Sequence, residues 1–120
     1  MRQSNNELGR RGEEKVSDVL IRRGYTIIER NWRIKEGEID IVALDRKAIF
    51  HFIEVKTRSS IAYGHPFEAI STDKAHRLQR LALAWLATHG YLARDFHIDV
   101  AAVLLSSGGE LQVEIREDVL

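Results

Sequence analysis

The feature that most constrains this fold is a pair of apolar stretches separated only by the short polar link Asp45–Lys47. The stretches cover residues 38–44 and 48–57, and both are rich in the branched and aromatic residues typical of strands. So short a link indicates a hairpin, which makes the two strands antiparallel neighbours. In the second stretch apolar side chains occupy both alternating sets, as in a central strand covered on both faces. We therefore expect a sheet flanked by helices.

Two amphipathic helices and three further strands complete the predicted order, α-β-β-β-α-β-β. Apolar residues at three- and four-residue steps predict helices over 6–23 and 73–89, with Thr72 as the N-cap of the second. A helix between two strands permits a parallel crossover, so the α/β sheet is expected to be mixed. The length of 120 residues predicts one domain over 1–120. The remaining strands are predicted over 25–33, 96–105 and 111–115.

The composition excludes several classes of protein. The chain has no cysteine and therefore no disulfides, thiolate zinc sites or cysteine nucleophiles, which fits a reducing compartment. The longest apolar run, residues 81–87, is far shorter than the roughly 20 residues that span a bilayer. The first residues also lack the apolar core of a signal peptide. We therefore expect a cytoplasmic protein with no membrane partner.

The charge is balanced overall but unevenly distributed. The 18 basic and 18 acidic side chains cancel. Residues 1–80 nevertheless carry 16 basic and 12 acidic groups, whereas residues 81–120 carry 2 and 6. A neutral protein is not expected to coat nucleic acid by charge alone, because that mode of binding needs a basic excess. The distribution leaves room for a protein that binds phosphates locally in its first two-thirds.

Charged side chains interrupt the apolar faces of the hairpin at one end. Glu54 and Lys56 continue the face that carries the two phenylalanines of the third strand. The hairpin brings Asp40, near the start of the second strand, beside Glu54 and Lys56. One interpretation is a structural ion pair of Lys56 with Glu54 or with Asp40. The other is a divalent-metal site, since hard cations prefer carboxylate oxygens and an adjacent lysine stabilises an anionic centre.

The first helix supplies a third acidic group. Its apolar residues cover an arc of roughly 120° when successive residues are placed 100° apart. On this wheel Glu13 lies beside Leu20 at the edge of the apolar face, whereas Glu14 lies on the opposite side. We therefore expect Glu13 to face the sheet and Glu14 to be solvated.

An ordered set of motifs along nearly the whole chain resembles the YraN-like family, small bacterial proteins of unassigned function. Glu13, Asp40 and Glu54-Val55-Lys56 are similar to the PD-(D/E)xK nuclease pattern, and the element order resembles that superfamily's restriction-endonuclease-like α-β-β-β-α-β core. Ile39 stands where the pattern has proline, which is not a ligand. The motifs of the narrower resemblance are Gly9-Xaa-Xaa-Gly12-Glu13, Arg30-Asn31-Trp32-Arg33, Gly37-Glu38-Ile39-Asp40, Glu54-Val55-Lys56-Thr57-Arg58, Lys74 with Arg77-Leu78, and Asp99-Val100.

The resemblance implies a metal-dependent endonuclease related to archaeal Holliday-junction resolvases. Asp40 and Glu54 would hold Mg²⁺ or Mn²⁺, with the Val55 carbonyl as a further ligand. Glu13 would be an auxiliary acid, and Lys56 would position the attacking water or stabilise charge on the phosphate. The substrate implied is structured or branched DNA. Because a four-way junction needs two cuts related by symmetry, a homodimer is implied as well.

Other residues are candidates for supporting roles. Arg58, Lys74 and Arg77 are candidate phosphate-binding residues, although solvated surface charge explains them equally well. Glu38 shares the face of Asp40 and is a candidate for orienting the metal ligands. Asp99 is interpreted as a hydrogen-bonded buried acid. Four histidines, His51, His76, His89 and His97, show no paired spacing that predicts a metal site.

Two other functional classes stay open at this point. The chain has the residues expected of a non-catalytic nucleic-acid-binding module that keeps the nuclease fold. It also fits an interaction scaffold whose carboxylates form ordinary ion pairs. Joint retention of the acidic residues and the lysine favours the enzyme over the scaffold, and the neutral total charge favours the scaffold.

Overall fold

A computed structural model of the chain describes residues 5–60 and 64–120, so part of the irregular stretch that follows the third strand lies outside it. A short 3-10 turn, Pro66–Ala69, precedes the second helix. The element order is the predicted one. The elements are α1 (Asn5–Arg22), β1 (Thr26–Ile34), β2 (Gly37–Leu44), β3 (Phe50–Arg58), α2 (Thr72–His89), β4 (Phe96–Leu105) and β5 (Leu111–Arg116).

The five strands form one mixed sheet in the order β1-β2-β3-β4-β5. The first three strands are an antiparallel meander, β4 lies parallel to β3, and β5 is antiparallel to β4. The crossover from β3 to β4 contains α2, which confirms the mixed sheet flanked by helices. Strand β3 is central, with a neighbour on each side.

Helices cover both faces of this sheet and make two hydrophobic cores. Alternate residues of β3 enter different cores, with Phe52 on the α2 side and Ile53 on the α1 side, as expected for a strand buried on both faces. The α2 core is centred on Trp85, which is fully buried against the two phenylalanines of β3. The α1 core contains Val16, Leu20, Ile41, Ala43, Ile53, Ala101 and Val103.

The N-cap of α2 is Ser71 and not the predicted Thr72. Ser71 has an extended backbone, with φ −88° and ψ 166°, and its hydroxyl accepts a hydrogen bond from the Lys74 N–H at 3.2 Å. Thr72 already has helical geometry and is the first helical residue. The predicted end of the helix at residue 89 is confirmed, and the next residue, Gly90, adopts the left-handed conformation with φ 81°.

The hairpin opens at the end opposite its turn. Strands β2 and β3 pair from Leu44↔Phe50 only as far as Ile41↔Ile53. Each strand keeps its outer partner beyond that point, since β2 stays paired with β1 to Gly37 and β3 with β4 to Arg58. The inner edges of β2 and β3 therefore separate within an otherwise continuous sheet. No helix in the described part of the chain is long and apolar enough to cross a membrane.

Candidate active site

Asp40 lies where β2 and β3 separate. Its Oδ2 accepts a hydrogen bond from the backbone N–H of Val55 at 2.8 Å, so the carboxylate takes the place of a missing ladder partner. Burial raises the pKa of Asp40 to about 7, and the negative charge of Glu54 adds to the rise, against the effect of this hydrogen bond. Among the described residues, Asp40 is therefore a carboxyl group without a compensating cation.

Glu54 and Lys56 form an ion pair on the α2 side of β3. The Lys56 Nζ lies 3.3 Å from the Glu54 Oε1, and the two side chains are 27% and 24% exposed. This is one of the two ion pairs that the sequence allowed, and it leaves Asp40 without the lysine. The pair is open enough to solvent that Lys56 can leave Glu54 at little cost.

Glu13 reaches the same region from α1. Its side chain is 18% exposed and lies 3.9 Å from Arg30 Nη2, whereas Glu14 is 64% exposed and binds Nη1 of the same arginine at 2.8 Å. Burial raises the pKa of Glu13, and the charges of Glu38 and Glu54 add to this, while Arg30 and a hydrogen bond from Asn31 oppose it. The structure thus separates the two glutamates as the helical wheel does.

A glycine sets the distance between α1 and β3 at this point. A Cβ atom on Gly12 would overlap the side chain of Thr57, so any larger residue would push the helix away from the strand. Gly9 faces open space and has no such role. The close approach at Gly12 brings Glu13 near enough to Asp40 and Glu54 for their negative charges to repel one another. We call these three carboxylates the acidic cluster.

A cavity of about 270 Å³ lies between the end of β3 and the start of α2, and Glu54 is the member of the acidic cluster that lines it. Glu54 and Lys56 line it from β3, and Lys74 and Arg77 line it from α2. Glu38 also lines the cavity and is bound by Arg33 at 2.6 Å. The cavity thus joins an acidic wall to a basic one. Arg58, the third candidate phosphate-binding residue, lies exposed at the end of β3 and does not line this cavity.

A second group of titratable side chains lies at the other end of β3. Within residues 5–60 and 64–120, His51, His97 and Asp99 are the group of three whose ligand atoms lie within 4.8 Å of one another, close enough to hold a metal ion. The sequence did not predict this group, because His51 and His97 are not paired at a short spacing along the chain. The two histidines are partners across the parallel ladder of β3 and β4, so the signal lay in the strand register and not in the local sequence.

The family of the chain follows from comparison with known sequences. The model of the uncharacterised protein family UPF0102 matches residues 12–103. The chain belongs to this family. The resemblance of the ordered motifs to an uncharacterised bacterial family is thereby confirmed. The match extends from the glycine that sets the position of α1 to the penultimate strand, so it includes both ends of β3.

Individual relatives are similar to this chain over most of their length. A UPF0102 protein of Arthrobacter sp. (strain FB24) is 51% identical over 107 residues, covering 89% of this chain and 90% of the relative. Those of Clavibacter michiganensis and Trichlorobacter lovleyi are 48% and 44% identical, covering 91% and 92% of this chain and 92% and 87% of theirs. Among solved structures, Pyrococcus furiosus SfsA in complex with Ca²⁺ is similar with a TM-score of 0.42 and 16% identity, and this chain covers 62% of it with 88% of its own length.

Proposed function

We propose that this protein is a divalent-metal-dependent endonuclease that hydrolyses phosphodiester bonds in structured or branched DNA. The observation that carries the proposal is the acidic cluster at the opening between β2 and β3. There Asp40 has a pKa raised to about 7 and, within residues 5–60 and 64–120, no ion pair with a basic side chain. The repulsion at such a site is relieved by a bound cation, and the neighbouring cavity, which Glu54 lines, presents the basic groups that a phosphate requires.

The donor set fits Mg²⁺ or Mn²⁺. Asp40 and Glu54 offer carboxylate oxygens, and the Val55 carbonyl is a neutral oxygen on the same strand edge, so the set contains only the hard ligands that these ions prefer. When bound, the ion would lower the pKa of a water molecule and neutralise charge that develops on the phosphate.

The remaining groups of the protein have separate roles in this proposal. Lys56 leaves its ion pair with Glu54 to donate a hydrogen bond to the attacking water or to a phosphate oxygen. Glu13, whose pKa is raised, accepts or returns a proton through water at its carboxylate oxygens. Glu38 holds Arg33 and lines the cavity, where it orients the neighbouring groups.

DNA binding is assigned to the basic wall of the cavity. Lys74 and Arg77 project from the first turns of α2 into the same cavity as Glu54, which suits a phosphate placed between the two walls. Arg58 extends this surface outside the cavity as a contact for the next phosphate. Cleavage of a branched junction needs two symmetric cuts, so the proposal includes a twofold homodimer.

The test is a cleavage assay on linear, flapped and four-way DNA with Mg²⁺ or Mn²⁺. Asp40→Asn keeps an acceptor for the Val55 N–H but removes the charge, and we expect it to abolish cleavage. Glu13→Gln should slow cleavage markedly, whereas Glu14→Gln, one residue away and largely exposed, is the matched control. Equal DNA cleavage by the parent and by Asp40→Asn would refute the proposed endonuclease site.

The ion pair between Lys56 and Glu54 favours a second candidate, a DNA-binding module without catalysis. In that case the pair serves to close the sheet edge, and the basic wall alone binds phosphate. This candidate predicts DNA binding that is lost in the double variant Lys74→Gln/Arg77→Gln, with no cleavage under any metal condition. DNA binding that survives this double variant would remove support from both candidates.

A further inference from the structure

The second group of titratable side chains is held between β3, β4 and the hairpin turn. His51 and His97 are directly opposite each other in the parallel ladder, and Asp99 follows His97 by two residues, so all three lie on the α1 side of the sheet. The two imidazole rings are 5.0 Å apart and nearly perpendicular. Tyr25 covers His51 edge-on at 5.0 Å. The core on this side of the sheet is made of buried apolar residues, so a buried polar group here is unusual.

Hydrogen bonds fix three members of the group. His51 Nδ1 lies 2.7 Å from Asp99 Oδ2, and its Nε2 lies 2.8 Å from Asp45 Oδ2. The other oxygen of Asp99 accepts from the Asp118 N–H at 3.0 Å, and the other oxygen of Asp45 accepts from two backbone N–H groups of the turn. We call Asp45, His51, His97 and Asp99 the histidine cluster.

One atom of the cluster has no partner. Within the described residues the Nδ1 of His97 is buried and makes no hydrogen bond. A buried nitrogen without a partner is costly, and such atoms commonly mark the place of a missing water or ion. His97 belongs to the group of three with His51 and Asp99, in which each residue offers one ligand atom and these atoms lie within 4.8 Å of one another.

The carboxylates of the cluster favour a cation. Asp99 and Asp45 lie on either side of His51, each with an oxygen within hydrogen-bond distance of one of its ring nitrogens. Imidazole binds a metal ion through a nitrogen that carries no proton, so the ion takes the place of a proton at the ring nitrogen that it binds.

We propose that the histidine cluster is a second metal site, for a borderline cation such as Zn²⁺. His51, His97 and Asp99 supply two imidazole nitrogens and one carboxylate oxygen, a donor set suited to Zn²⁺ and unsuited to Mg²⁺. Asp45 accepts from the Nε2–H of His51 and thereby orients the ring, as a supporting carboxylate does for a zinc-bound histidine. The ion would join β3 to β4 and, through Asp99, to the backbone of Asp118.

This site is independent of the proposed nuclease. His51 precedes Glu54 by three residues along β3, roughly 10 Å, and faces the opposite side of the sheet. The two sites differ in donor chemistry as well, so the metals can be tested against each other in one sample. Loss of either site leaves the donor set of the other intact.

The experiment measures Zn²⁺ binding to the full-length chain by calorimetry in excess Mg²⁺, which occupies the acidic cluster. We expect one Zn²⁺ per chain. His97→Gln loses no hydrogen bond of its Nδ1 and should weaken binding at least about tenfold, and Asp45→Asn should weaken it roughly 10- to 100-fold. His76→Gln, which replaces an exposed histidine of α2, is the matched control and should bind as the parent does.

Two results would overturn the proposal. One is Zn²⁺ binding that is unchanged in His97→Gln, and the other is Zn²⁺ binding that disappears in Asp40→Asn, which would place the ion at the acidic cluster. A readout on the parent protein covers the case of a variant that does not fold. One equivalent of Zn²⁺ should shift the ring proton resonances of His51 and His97 and leave those of His76 in place, and the absence of such shifts would equally contradict the site.

Discussion

Carboxylates lie close together at both ends of β3, and the two ends differ in how the repulsion between these carboxylates is compensated. In the histidine cluster His51 lies between Asp45 and Asp99 and is only 1% exposed. In the acidic cluster no basic side chain of the described residues forms an ion pair with Asp40, and Lys56 is paired with Glu54. One end therefore has an internal cation and the other has room for an external one.

The pKa values express this difference. Burial alone would raise the pKa of Asp45, but hydrogen bonds from His51 and from two backbone N–H groups hold it below its usual value. The pKa of Asp40 is instead raised to about 7, first by burial and then by Glu54. A cation from solution relieves repulsion at the acidic cluster, whereas at the histidine cluster it must first displace a proton. We therefore expect the acidic cluster to bind Mg²⁺ and the histidine cluster to bind Zn²⁺.

The largest effect is expected at the histidine cluster, in the metal-free protein. Asp99→Asn leaves the His51 imidazolium with one carboxylate fewer in a site that is 1% exposed, and we expect it to lower the free energy of unfolding by about 3–5 kcal/mol. Asp95→Asn, four residues earlier and exposed, should change it by less than about 0.5 kcal/mol. Urea unfolding measures both. A small loss for Asp99→Asn would mean that the buried pair does not stabilise the fold.

The next effect depends on pH. Burial opposes protonation of His51, but hydrogen bonds to Asp99 and Asp45 outweigh it and raise its pKa to about 8, against an ordinary value of 6.5. The added stability is present in full below pH 6.5 and is lost as the pH rises through 8, about 2 kcal/mol in all. The groups facing His51 are Asp45, Asp99, His97 and Tyr25, and the tyrosine, hydrogen-bonded to Glu117, has its own pKa raised well above this range.

Chelator-treated protein is the right sample for this measurement. The free energy of unfolding of the parent minus that of His51→Gln should be larger at pH 6 than at pH 9, because His51 loses its proton between these pH values. Asp40 titrates in both proteins, so its contribution cancels in the difference. A constant difference across this range would show that His51 is neutral in the folded protein.

A smaller effect of opposite sign is expected at the acidic cluster. Because the pKa of Asp40 is raised, its charged form destabilises the fold above pH 7, and Asp40→Asn should then stabilise the chelator-treated protein by about 0.5–2 kcal/mol. The same variant should lose the rise in melting temperature that Mg²⁺ gives the parent by mass action. A fall in melting temperature, with no response of the parent to Mg²⁺, would instead favour the scaffold.

Much of the fold was accessible from the sequence because it depends on local patterns. Periodicity and short links specify the two helices, the hairpin and the order of the elements along the chain, and helical geometry separates Glu13 from Glu14. The position of α2's first residue was missed by one because Ser71 and Thr72 are both good caps, and only the backbone angles distinguish them.

The histidine cluster was not accessible because its contacts are not local. His51 and His97 are separated by the whole crossover, and a shift of one residue in the β3–β4 register would turn one of them to the other face. The opening between β2 and β3 is similar, since alternation alone predicts a ladder that continues past Asp40. Local patterns thus placed the acidic residues near one another, but not the hydrogen bond of Asp40 to Val55.

The smallest change in stability is expected for a substitution of Lys56. It distinguishes most clearly between the acidic cluster and the histidine cluster. Lys56→Met removes a cation from a carboxylate pair, as His51→Gln does, but the pair with Glu54 is about a quarter exposed. Water replaces the lysine there, so we expect a change of less than about 1 kcal/mol in the free energy of unfolding. Lys47→Met, in the exposed hairpin turn, is the matched control. Stabilisation by Mg²⁺ should persist in Lys56→Met, because Asp40 and Glu54 remain, whereas cleavage of DNA should be lost. A loss of several kcal/mol would make Lys56 an internal cation like His51, and the acidic cluster would then have no place for a metal ion.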